Sequence, residues 1–205
     1  MRSLQATANG ISSGGWIPAS ATCPSATNSS RDPSRNCKRG VWRRRSYRGR
    51  VSTRHAYHVS KQVSVIGSGA EWEAAAEEIG RLLAERGCTV VTGGLGEVMA
   101  AAHRGAKAAG GTTIAILPGE RREDANPWAD HVVVTGIGQA RNLAVAASGD
   151  AVIAVGGAWG TLAEIAFARR LGRRVVALAG APEVNGIETA ATPAEAVELA
   201  LRDLE

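Results

Sequence analysis

The segment Val155-Gly156-Gly157-Ala158-Trp159-Gly160-Thr161-Leu162-Ala163-Glu164 holds the residue types that can anchor an anion and act on what it anchors. The apolar run Ala151–Val155 reads as a buried strand, and Leu162–Leu171 reads as a helix. A glycine turn from strand to helix aims free backbone N–H groups and the positive end of the helix dipole at one point. Glycine also lets the backbone approach a phosphate with no Cβ between them. Gly156, Gly157, Gly160 and Thr161 are therefore candidate phosphate ligands. Glu164, one turn inside the helix, is the candidate catalytic carboxylate. A competing reading exists, because Thr161–Glu164 has the form T-x-x-E of a capping box, in which Glu164 would only bond the Thr161 N–H.

Two more glycine turns follow apolar runs: Gly67-Ser68-Gly69, and Gly93-Gly94-Leu95-Gly96 before Glu97-Val98-Met99. Gly67, Ser68, Gly93, Gly94 and Gly96 join the candidate ligand set, although tight packing of strand on helix would also call for glycine there. Arg141, a candidate catalytic residue beside Glu164, and Asn142, a further candidate ligand residue, open a helix. The dipole disfavours a cation at that end. Arg141 therefore needs a carboxylate, Glu164 or Asp150, or an anionic ligand gripped by its fork.

The elements that must position these residues alternate. Apolar runs predict strands at Gln62–Ile66, Thr89–Thr92, Thr112–Leu117, His131–Thr135, Ala151–Val155 and Arg174–Leu178. Helices are predicted at Glu71–Arg86, Glu97–Ala109, Ala140–Ser148 and Leu162–Leu171. The first carries Trp72, Ala75, Ala76, Ile79, Leu82 and Leu83 in one helical stripe. A last helix starts at Thr192-Pro193-Ala194-Glu195, which supplies an N-cap, a proline at the first helical position and a glutamate three residues on. The pattern implies a single α/β domain over residues 61–205, a Rossmann-like doubly wound parallel sheet covered on both faces. Ligands of such sheets bind beyond the carboxyl ends of the strands, where all three glycine turns would share one rim.

Charge divides the chain. Residues 1–60 hold 11 of the 24 Lys and Arg but only Asp32 among acids, while the rest holds 13 basic and 18 acidic residues. The first segment is rich in Ser, Arg, Asn, Thr and Pro and lacks a core-forming run, so it reads as a disordered basic extension, or as sequence upstream of a start near Val51–Lys61. A transit peptide is a second reading, and an arm using Arg43, Arg44, Arg45, Arg48 and Arg50 on nucleic acid is the less favoured third. No run reaches the length of a membrane span. Cys23, Cys37 and Cys88 have no metal or disulfide spacing, which fits a reducing cytoplasm. A Walker loop and a nucleophile elbow are both missing, and no metal site is expected from His103 and His131.

Taken together, these motifs resemble the Lonely Guy (LOG) superfamily, Rossmann-like nucleotide-binding proteins once loosely labelled lysine decarboxylases. The resemblance runs from about Gln62 to the C-terminus. The family pattern P-G-G-x-G-T-x-x-E resembles Val155–Glu164, with Val155 for the proline and the pair Ala158-Trp159 where the pattern has one residue. The family turn G-G-x-x-G-x-M resembles Gly93–Met99. Characterised LOG enzymes carry an Arg-Lys pair before the glycine motif; here Arg141 matches the arginine and Asn142 stands for the lysine. Ala140-Arg141-Asn142 with Val155-Gly156-Gly157 looks more like the branch that contains molybdenum-cofactor carrier proteins.

The resemblance implies a phosphate-bearing nucleotide-like ligand, either a nucleoside monophosphate or a pterin-phosphate such as the molybdenum cofactor, with no cofactor required. It implies a homodimer or higher homo-oligomer formed through helices beside the site, with membrane and nucleic acid not expected as partners. The alternative activity is release of a free base from a nucleoside 5′-monophosphate. Cleaving that bond builds positive charge on the ribose, which a carboxylate such as Glu164 can stabilise while Arg141 holds the phosphate or the carboxylate.

Overall fold

The computed structural model describes residues 60–178 and 180–204. The expectations for the basic extension over 1–60 lie, but for Ser60, outside the described residues. Seven strands form one parallel sheet: β1 (Gln62–Ser68), β2 (Thr89–Thr92), β3 (Thr113–Leu117), β4 (His131–Val134), β5 (Ala151–Gly156), β6 (Arg174–Leu178) and β7 (Glu188–Ala190). Among the described residues four helices lie between strands, α1 (Glu73–Glu85), α2 (Glu97–Ala108), α3 (Asn142–Ser148) and α4 (Trp159–Arg170), and α5 (Pro193–Leu201) follows β7. The doubly wound parallel α/β fold expected from the sequence is the fold observed.

The strand order is β4-β3-β2-β1-β5-β6-β7. The chain winds outward from β1 to β4, then returns to the middle and winds the other way from β5. The order therefore reverses between β1 and β5, the place where ligands of open parallel sheets bind. There Gly67 pairs with Val155 and Ser68 with Gly156. Gly67 adopts φ +144°, and a Cβ on it would overlap the Val155 carbonyl, so only glycine lets the two strands end this closely.

Each sheet face has its own core. Val63, Val65, Val90, Ile153 and Val176 point to the face covered by α1, α2 and α5, against Ile79, Leu83, Val98 and Val197. Ile66, Val91, Val152 and Val175 point to the other face, against Val145 on α3 and Ile165 on α4. Continuous apolar strands serve both faces at once. The outer strand β4 departs from that expectation: Val133 and Val134 remain 47% and 40% exposed.

Several boundaries also differ: β1 runs past the expected Ile66 to Ser68, and the first helix, expected from Glu71 to Arg86, opens as a tighter turn over Ala70–Trp72 before regular α1 from Glu73 to Glu85. β7 is an additional strand of three residues at the sheet edge, too short and too polar to show a period. α4 begins at Trp159, before the expected Leu162. The helix expected from Ala140 opens as a tighter helical turn over Gly138–Arg141, with regular α3 starting at Asn142. α5 starts as read, with Thr192 Oγ1 accepting the Glu195 N–H at 3.2 Å.

α1 and α2 lie backbone to backbone. A Cβ on Gly80 would overlap the Ala102 carbonyl, and one on Gly105 would overlap the Glu77 carbonyl. Gly80→Ala and Gly105→Ala should each lower stability by about 1–3 kcal/mol despite the better helix propensity of alanine, as read by thermal melting. An unchanged or raised melting temperature would show that the helices separate freely.

Candidate functional site

β1, β2 and β5 are adjacent parallel strands, so the glycine segments at their carboxyl ends, Gly67–Gly69, Gly93–Gly96 and Gly156–Gly160, lie along one edge of the sheet. Gly156 and Gly157 have φ +58° and +109°, conformations that favour glycine. Gly157 packs directly on Thr161, whose Oγ1 lies where a Cβ would go. Gly160 has open space on its Cβ side. Ser68 is exposed, whereas Gly67, Gly93 and Gly94 are buried. Gly96 is the N-cap of α2 and has extended backbone. The indole of Trp72 closes the back of this edge, in the space that side chains on Gly156 and Gly180 would fill.

The capping-box reading of Thr161 and Glu164 does not hold. The helix starts at Trp159, so Thr161 is already inside its first turn and Glu164 lies in the second. No side chain caps this N-terminus. Glu164 faces Arg141 instead, with Arg141 Nη1 at 3.6 Å from Glu164 Oε1. Of the two carboxylates considered for Arg141, Glu164 is therefore the one in place; Asp150 accepts the Gln62 backbone N–H at 3.0 Å.

The pair is buried, Arg141 at 5% and Glu164 at 7% exposure. At 3.6 Å they attract without forming a hydrogen bond. Arg141 Nε and, on the next residue, Asn142 Oδ1 are buried and lack any hydrogen-bond partner. A buried donor on a charged group left unpaired costs about 1–3 kcal/mol or more. The guanidinium lies against Gly93, where a Cβ would overlap its terminal nitrogens, so the second glycine turn makes the seat of the arginine. Burial lowers the pKa of Arg141. Burial also raises that of Glu164 to about 7, against the downward pull of Arg141.

The structure thus joins residues from three parts of the chain: Gly93 after β2, Arg141 and Asn142 before β5, and Glu164 after it. Ser68 and Gly96 stand at the margins. Two supports carry no sequence signal. Trp72 reads as one member of a helical stripe, and the Thr92, His103 and Asn126 set beneath Gly94 is spread along the chain. A cavity of about 650 Å³ lies away from this chemistry, between the amino ends of β1 and β2 and the end of α5, lined by Lys61, Arg86, Cys88 and Arg202. No group of three or more metal-ligating side chains occurs among the described residues. No helix among them is long and apolar enough to cross a membrane.

A seven-stranded parallel sheet with helices on both faces, and glycine segments at the carboxyl ends of β1, β2 and β5, defines a Rossmann-like α/β protein. Within that class, the chain belongs to the SLOG cluster4 family, whose model matches residues 60–201. An uncharacterised protein of Archaeoglobus fulgidus is 42% identical over 139 residues, covering 66% of this chain and 91% of its own. The molybdenum cofactor binding protein from Rippkaea orientalis superposes with a TM-score of 0.66 at 31% identity, covering 71% of this chain and 98% of that one. The molybdenum cofactor carrier protein from Chlamydomonas reinhardtii superposes with a TM-score of 0.65 at 32% identity, with the same coverage of 71% and 98%. The resemblance drawn from the motifs therefore holds at the level of the superfamily and its molybdenum-cofactor branch.

The Glu164 pKa has a consequence for stability. A carboxyl whose folded pKa is raised favours the folded state fully below its unfolded value and loses that contribution as pH rises through the folded value. The window runs from about 4.5 to about 7. The parent should lose on the order of 2–3 kcal/mol relative to Glu164→Gln between pH 4.5 and 8, as read by chemical denaturation. A stability difference that stays flat across this range would place the Glu164 pKa at its ordinary value.

Proposed function

We propose that the protein binds a phosphate-bearing, nucleotide-like ligand in the crevice over β1, β2 and β5. The observation that carries this reading is the buried Arg141 with an unpaired Nε–H, set beside an unpaired Asn142 Oδ1 and facing Glu164 at 3.6 Å. An anion that accepts from Arg141 removes that penalty, and a hydroxyl or N–H on the same molecule satisfies Asn142. Gly156, Gly157, Gly160 and Thr161 supply backbone N–H groups and a hydroxyl at the N-terminus of α4 for the phosphate. Gly67, Ser68, Gly93, Gly94 and Gly96 shape the rest of the edge.

Two ligand types share this chemistry, a nucleoside monophosphate and a pterin-phosphate. The similarity to proteins named for the molybdenum cofactor supports the second. That cofactor would be cargo here, held by its phosphate end through Arg141 and the α4 turn. A second reading, phosphoribohydrolase, is favoured by the Glu164 pKa of about 7, which suits a group that must both hold and release a proton near neutrality. In that reading Glu164 stabilises charge on the ribose and orients water, and Arg141 holds the phosphate.

We also propose a homo-oligomer in the cytoplasm, built on the outer faces of α3 and α4. Trp159 is 84% exposed, and Leu143 and Leu171 are 44% and 47% exposed, apolar side chains that a second copy would cover. The free Cys88 thiol fits a reducing compartment.

Gly160→Asp tests the anchoring. The site has room for the new side chain. A carboxylate in the first helical turn also suits the dipole, so the fold should persist. Affinity for AMP should nonetheless fall roughly tenfold or more through charge repulsion, as read by calorimetry. Parental affinity in the folded variant would remove the α4 turn from the site. Incubation with nucleoside monophosphates separates the two readings. Free base from the parent but not from Glu164→Gln gives a hydrolase, and intact ligand recovered after long incubation gives a carrier. Trp159→Lys should halve the sedimenting mass; a mass that does not change would refute the α3–α4 interface.

A further inference from the structure

The turn that seats Arg141 is itself held by a closed ring of polar contacts around a histidine of α2. His103 on α2 is fully buried. Its Nε2 lies 3.1 Å from Thr92 Oγ1, and its Nδ1 lies 3.3 Å from Asn126 Oδ1. The Gly94 N–H donates to Thr92 Oγ1 at 3.0 Å. Asn126 donates twice to the Gly94 carbonyl, from its backbone N–H at 2.9 Å and from Nδ2 at 3.1 Å. The Trp128 N–H donates to Asn126 Oδ1 at 3.1 Å.

For a neutral imidazole these contacts favour one arrangement of protons. Turning the Asn126 amide over would set nitrogen against the Trp128 N–H and oxygen against the Gly94 carbonyl, so the amide is fixed as it stands. Asn126 Oδ1 is then an acceptor, and His103 must carry its proton on Nδ1. Nε2 is left to accept the Thr92 hydroxyl proton, while Thr92 Oγ1 accepts from Gly94. Burial lowers the His103 pKa to about 4, which keeps this neutral tautomer near neutral pH.

The turn has little slack. Gly94 has φ +80°, and a Cβ on it would lie 2.8 Å from Ala115 Cβ and from Leu117 Cδ2. On the other side Gly93 meets the Arg141 guanidinium. A displaced turn therefore displaces the arginine. An imidazole is also a costly core filler, since burying its polar atoms is compensated only by its bonds, and both side-chain partners lie on the segments that frame this turn.

We propose that His103 is a positioning residue of the candidate site. Through Thr92 and Asn126 it fixes the Gly93–Gly94 turn, and with it the reach of Arg141 toward Glu164. The consequence for affinity rests on the ligand reading above; the consequence for Glu164 does not.

The full chain carrying Thr92→Val or His103→Phe tests this, with Thr92→Ser as the variant that keeps the hydroxyl. The ligand-free readout is the titration of the Glu164 carboxyl by carbon NMR. Withdrawal of Arg141 should raise its midpoint by roughly half a unit in Thr92→Val and His103→Phe, with Thr92→Ser as the parent. Affinity for AMP should fall roughly tenfold in the same two variants and recover in Thr92→Ser. A folded Thr92→Val with the parental Glu164 midpoint overturns the proposal, and that variant decides if His103→Phe does not fold. If the parent itself ignores AMP, the nucleoside-monophosphate form of the ligand reading fails and the titration alone decides the role of His103.

Discussion

A buried arginine held just short of its carboxylate is the constraint around which this protein is arranged. Arg141 and Glu164 are both almost withdrawn from water, yet stand 3.6 Å apart without a hydrogen bond. Removing two charges from water costs several kcal/mol each, and attraction recovers that only with good geometry and further bonds. Here the geometry is loose and one guanidinium donor is unpaired. A pair built only for stability would close the gap. An arrangement left open fits a third, anionic group, and it keeps the carboxyl near its point of half-ionisation at neutral pH.

The fold supplies what such a pair needs. The sheet reverses its winding between β1 and β5, the point at which open parallel sheets take their ligands. β2 ends in the turn that seats the guanidinium, and β5 runs into the helix that carries the carboxylate. Glycine is required where these parts converge. Gly67 lets β1 end against β5, Gly93 admits the arginine, and Gly157 admits Thr161. The site is therefore a property of the sheet edge, which explains why its residues are scattered from Gly67 to Glu164.

Much of this was legible in the sequence because long apolar runs and glycine punctuation report backbone geometry directly. The order of six strands and five helices followed from them, as did the common edge of the three glycine turns. Arg141 could be singled out because a cation at a helix start needs a reason. Signals failed where they were short or dispersed. β7 has three residues and no apolar period. Trp159 and Gly160 concealed the true start of α4, because neither resembles a helix-opening residue, and that concealment made a capping box look plausible. His103 on α2 carries no pattern of its own, since its partners lie 11 and 23 residues away. Exposure of β4 was illegible for a related reason: a run of valines reads as buried whether or not a neighbour covers it.

The most direct test of the central claim is a proton count on ligand binding. AMP is titrated calorimetrically near pH 7.5 in buffers of different ionisation enthalpy, with the full chain and with Glu164→Gln. An anion placed beside Glu164 raises its pKa, so the parent should take up protons as AMP binds and Glu164→Gln should take up none. Binding with the same proton count in both proteins would contradict an anion site at the Arg141–Glu164 pair.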